Sequence, residues 1–86
     1  MQRIEFTVEP FIEGHPGPHV TAAIEAATAL GHEVEVGPFG SGCSVPSEST
    51  ADVVAAIVGA AIANGADHVN VDVVRIGVSD TRESVR

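Results

Sequence analysis

The sequence contains no lysine. Its four bases are arginines (Arg3, Arg75, Arg82 and Arg86), set against twelve carboxylates for a formal net charge of −8. A phosphate backbone is bound by clustered cations that displace counterions, so this balance excludes nucleic acid as a partner. Anionic membrane surfaces are disfavoured for the same reason. A cationic or polar ligand is the easier partner. The single cysteine, Cys43, rules out an internal disulfide. No apolar run is long enough to span about 30 Å of hydrocarbon; the longest covers roughly residues 51–63. Glu5 falls where a signal peptide would carry its apolar segment. These absences predict a cytoplasmic chain without membrane insertion.

The hydrophobic fraction is 44%, ordinary for a folded domain and too high for a disordered acidic tail. Eighty-six residues make one domain. A chain this short buries only about 60–65% of its unfolded surface, which favours self-association.

Residues 3–9 alternate strictly, with Ile4, Phe6 and Val8 on one face and Glu5, Thr7 and Glu9 on the other, as in a half-buried strand. Pro10 ends it. After a Gly- and Pro-rich loop, Pro18 opens a helix whose apolar positions are Val20, Ala23, Ile24, Ala27 and Leu30, and Gly31 stops it. Residues 32–37 alternate again, predicting Val34 and Val36 inward and Glu33 and Glu35 outward. Residues 38–42 read as a turn and 43–48 as a third strand, weakened at Pro46. Residues 51–63 are rich in β-branched side chains, yet six alanines, a loose capping box at Ser49, Thr50 and Asp52, and the Asn64-Gly65 stop favour a helix. Residues 68–75 alternate, with Val69, Val71 and Val73 opposite His68, Asn70 and Asp72. The domain is expected over residues 1–77, with 78–86 a flexible tail.

The order β-α-β-β-α-β predicts an α+β, ferredoxin-like sandwich, a four-stranded antiparallel sheet with both helices on one face. Strand phasing then gathers Glu5, Glu9, Glu33, Glu35 and Asp72 on the uncovered face. That face is either solvated or meets a second subunit or a cationic ligand.

Individual candidates for chemistry are thin. His15 and His19 are four apart, but Gly17 and two prolines hold most of that span out of a helix and no third ligand is near, so no metal site is expected. A lone Cys43 on a strand is a small buried apolar residue unless a histidine is aimed at it, and nothing in the sequence aims one. The Gly37–Gly42 segment has glycines that admit close approach, but it lacks the Gly-Lys-Ser/Thr ending of a phosphate loop. Glu33 and Glu35 have no identifiable acid/base partner. No catalytic residue is predicted, and the chain is not expected to be an enzyme.

Two segments carry a resemblance. Val8-Glu9-Pro10-Phe11-Ile12-Glu13-Gly14-His15-Pro16-Gly17-Pro18-His19-Val20 and Val34-Glu35-Val36-Gly37-Pro38-Phe39-Gly40-Ser41 resemble the small thiamine-binding proteins of the YkoF/MTH1187-like group, over about residues 3–76. The resemblance implies a ferredoxin-like fold, dimers or tetramers formed through the sheets, and non-catalytic binding of thiamine or its hydroxymethylpyrimidine moiety in vitamin uptake, salvage or sensing. It implies a ligand near Glu9, Phe11, His19, Phe39 and Ser41, and no other cofactor. The chain departs from the family pattern over residues 42–49 and at Val58 and Gly59, where relatives carry polar residues. A structural or regulatory oligomer without a small-molecule ligand is the alternative.

Overall fold

In a computed structural model, residues 1–10, 15–37 and 40–76 are described. Strand β1 (Gln2–Glu9) is followed by helix α1 (Pro18–Ala29), strands β2 (Glu35–Gly37) and β3 (Gly40–Val45), helix α2 (Thr50–Ala63) and strand β4 (His68–Arg75). The four strands form one antiparallel sheet in the order β2-β3-β1-β4, with β1 and β3 central. This is the expected ferredoxin-like α+β layout.

The period-two pattern of β1 is realised directly. Ile4, Phe6 and Val8 are buried, and they join Val20, Ala23 and Ala27 of α1 with Val53, Ile57 and Ala61 of α2 in one core. The helical residues recur every three or four positions, which is how a helix presents one stripe to a sheet. Cys43 and Val45 of β3 complete the cluster, so Cys43 is a small core hydrophobe.

Both helices end as their glycines predict. Gly31 (φ +92°) and Gly65 (φ +101°) adopt the left-handed conformation. The Gly31 and His32 amides donate to the Thr28 and Ala27 carbonyls, and the Gly65 and Ala66 amides to those of Ile62 and Ala61. This six-to-one and five-to-two pairing satisfies carbonyls that a helix end otherwise leaves open. Neither helix is long and apolar enough to cross a membrane.

Four local expectations change. The second strand is only Glu35–Gly37, and Val36 is 65% exposed. Val36 sits on a three-residue edge strand, whereas the helices pack chiefly over β1 and β4; Val34, just before, does pack against the core. Val73 shares the covered side of the sheet with Ile4 but is 43% exposed, toward the end of edge strand β4. The third strand begins at Gly40, so Gly40 and Gly42 belong to the sheet and not to the turn. The capping box does not form. Ser49 makes no side-chain cap, and a 3₁₀ turn (Ser47–Ser49) leads into α2 instead. The Thr50 hydroxyl lies within hydrogen-bond reach of the Pro46 carbonyl (3.3 Å) and of Gln2 Oε1 (3.2 Å), which ties the helix start to β1. The expected C-terminal tail, 78–86, lies outside the described residues.

Candidate functional site

The face of the sheet away from the helices is built by the odd-numbered residues of β1 and their cross-strand partners. Register makes one row of it run across all four strands. Glu35 of β2 lies opposite Gly42 of β3, Gly42 opposite Glu5 of β1, and Glu5 opposite Asp72 of β4. Neighbouring strands are about 4.8 Å apart, so three carboxylates stand in line with a single gap at the glycine. Like charges directly opposite one another destabilise a sheet, and this row keeps two of them adjacent at Glu5 and Asp72.

Arg3 fills the gap. Its Nη2 is 2.7 Å from Glu35 Oε1 and its Nε is 3.7 Å from Glu5 Oε2. The guanidinium lies on the Gly42 backbone so closely that a Cβ there would fall 2.6 Å from Nη2 and 3.0 Å from Cζ. Gly42 is therefore the seat of Arg3. Gly40, in a left-handed-range conformation (φ +154°), likewise leaves room, since a Cβ there would come 3.0 Å from the Thr7 methyl. Two glycines without side chains thus sink the middle of the sheet face. The result is a hollow of about 650 Å³ whose lining includes Arg3, Glu5, Thr7, Glu35, Asn70 and Asp72, together with Gly37, Gly40 and Ser41.

Arg3 is the only base among these lining residues, so the hollow keeps an excess of negative charge. Asp72 makes no ion pair among the described residues. The arrangement suits a positively charged or hydrogen-bond-donating group, with Thr7 and Asn70 available to orient its polar edge. No group of three or more metal-ligating side chains gathers among the described residues.

The residues singled out in the sequence distribute over two places. Ser41 borders the hollow, but its pairing with Phe6 and Val36 gives it the phase of the covered face, and it is almost fully buried. Glu9 is on the same open side of the sheet but at the far end of β1, exposed, with a carboxylate oxygen 3.5 Å from His68 Nδ1. His19 lies with the helices. The residue is 8% exposed and its Nε2 donates to the Pro10 carbonyl, which joins the start of α1 to the end of β1. Glu9 and His19 thus lie near the same end of β1, one on the open side of the sheet and the other among the helices, and Ser41 is elsewhere. Phe11 and Phe39 lie outside the described residues.

Arg3, Thr7 and Asn70 were not among the selected site residues. The signal for them was their own strand phase: Arg3 and Thr7 alternate with Ile4, Phe6 and Val8, and Asn70 with Val69 and Val71, which puts all three on the open face. Off that face, burial pushes the Cys43 thiol up from its ordinary value, with the nearby Arg3 charge opposing the shift. That direction suits a buried neutral thiol and not a nucleophile.

No family model and no curated protein matches the chain. Solved structures do. The chain is similar to a domain of unknown function, DUF77, from Bacillus cereus (25% identity, TM-score 0.61, 84% of this chain and 70% of that one). It is also similar to the hypothetical protein MJ1052 from Methanocaldococcus jannascii (15% identity, TM-score 0.57, 98% and 94%). A third is protein SP2199 from Streptococcus pneumoniae (18% identity, TM-score 0.55, 99% and 98%). These likenesses establish the fold.

Proposed function

We propose that this chain is a non-catalytic, cytoplasmic binding protein for thiamine or its hydroxymethylpyrimidine moiety, of the YkoF/MTH1187-like family, acting in uptake, salvage or sensing of the vitamin. The observation that carries the reading is the carboxylate row Glu35, Glu5 and Asp72 lining a hollow of about 650 Å³. That volume falls within the range of small-molecule sites. A thiazolium cation is stabilised by the excess acid, and an aminopyrimidine offers donors to Asp72 or Glu5 and a polar edge to Asn70 and Thr7. The lining at Gly37, Gly40 and Ser41 belongs to the second of the two segments that carry the family resemblance. Calorimetry with thiamine and with hydroxymethylpyrimidine tests this. Saturable heat for either supports it, and none for both at millimolar ligand refutes it.

A second reading, a structural or regulatory oligomer, is favoured by a separate observation. Met1 (57% exposed), Val74 (43%) and Ile76 (46%) form an apolar end to the open face, held together where the Ile76 amide donates to the Met1 carbonyl. Beside them β4 is an eight-residue edge strand, and unpaired strand edges are templates for a second copy. Light scattering of the wild type and of Val74→Glu separates the readings: a dimer or tetramer lost in the variant supports self-association, and a monomeric wild type refutes it.

A further inference from the structure

We propose that Arg3 is the specificity-determining residue of the hollow, a built-in counter-cation that competes with a positively charged ligand for Glu35 and Glu5. The inference rests on the hollow being the ligand site, and it adds what decides entry. Arg3 stands between Glu35 and Glu5 at the gap in the carboxylate row, bonded to one and facing the other. Its guanidinium rests on Gly42, the one position in that row without a side chain. The gap between Glu35 and Glu5, where a cation would meet two carboxylates, is therefore already taken by the chain's own cation.

Arg3 is also suited to leaving. Its side chain is 31% exposed and Glu35, its bonded partner, is 70% exposed, so water replaces the pair at little loss. A neutral ligand settles beside Asp72 and Asn70 without moving it. A cation competes with it directly. Arg3 thereby sets a threshold: weakly held cations are rejected, and those with further contacts along Thr7 and Asn70 succeed. Discrimination by an internal competitor is specificity obtained from a repulsive element rather than an attractive one.

The test uses nuclear magnetic resonance titrations of wild type, Arg3→Gln and Arg75→Gln, with tetramethylammonium as a bare cation and thiamine as a larger one. Arg75 lies off the hollow, so its replacement removes the same charge from elsewhere. The Gly42 amide reports occupancy in all three proteins, and the Arg3 Nε–H resonance reports displacement in the wild type. Arg3→Gln is expected to bind tetramethylammonium about tenfold more tightly than wild type, since the removed repulsion acts at close range. Arg75→Gln is expected to stay within about twofold of wild type. The wild-type Arg3 resonance is expected to move as the cation enters. Equal or weaker binding by Arg3→Gln overturns the proposal, as does an equal gain in Arg75→Gln. If Arg3→Gln does not fold, an Arg3 resonance that stays still while Gly42 titrates overturns it in the wild type. Failure of thiamine alone, with tetramethylammonium behaving as expected, refutes the thiamine reading and supports the role of Arg3.

Discussion

Replacing Gly17 by alanine probes the contact that fastens α1 to the end of β1. Gly17 is the N-cap of α1 with φ −76° and ψ 174°, a conformation that alanine adopts freely, so no backbone strain arises. Two background effects roughly cancel. Alanine restricts the unfolded chain, worth about 0.4–1 kcal/mol in favour of folding, and it caps helices less well than glycine by a similar amount. What remains is steric. The new Cβ would fall 2.5 Å from His19 Cε1 and 2.9 Å from Nδ1, so the imidazole must leave its slot. It then gives up its hydrogen bond to the Pro10 carbonyl, worth about 1 kcal/mol, together with the burial of its ring. The expected cost is about 1–2 kcal/mol, or about 5–15 °C in melting temperature for a domain of this size. In a His19→Ala background the same substitution meets no ring and is expected to cost less than about 0.5 kcal/mol. Thermal and urea unfolding of the four proteins closes the double-mutant cycle. Equal cost of Gly17→Ala in both backgrounds refutes the contact.

Two further outcomes follow from burial. Ile57 is fully buried beneath α2, whereas Ile62 on the same helix is largely exposed; Ile57→Ala is expected to cost about 2–5 kcal/mol and Ile62→Ala under about 0.5. Similar urea midpoints for the two variants would contradict the helix orientation. The Cys43 thiol is raised by burial in the folded chain. The stability contributed by the neutral thiol is thus complete below its unfolded value of about 8.5 and is lost as pH rises through the higher folded value. Unfolding midpoints between neutral and alkaline pH should decline less steeply in Cys43→Ala than in wild type, and identical slopes would count against that assignment.

Much of the fold was legible because its signals are local. The alternation of Ile4, Phe6 and Val8 depends only on the two-residue repeat of a strand, and the stops at Gly31 and Gly65 only on which residue tolerates a positive φ. Where reading failed, a tertiary fact intervened. Val36 has the alternation of a buried strand residue, but it sits on a short edge strand away from the main helix contacts and is largely exposed. Ser49 and Thr50 look like a capping box, but Thr50 finds partners at Gln2 and Pro46 across the fold.

The candidate site divides along the same line. That Glu5, Glu35 and Asp72 share an uncovered face was visible from strand phase, as was the excess of acid over arginine. Gly40 and Gly42 resembled a turn because glycine carries no phase of its own, and only their ladder with β1 shows them to be strand residues.

The sequence by itself therefore determined the order of elements, the side of the sheet that the residues of β1 and β4 take, and the sign of the open face, since each follows from periodicity within one segment. Only the tertiary structure decided which carboxylates stand in one row, that Gly42 is the gap in it and that Arg3 fills that gap. Alternation assigns a residue to a face, but the register between strands 35 or more positions apart is set by hydrogen-bond ladders and core packing that no single segment contains.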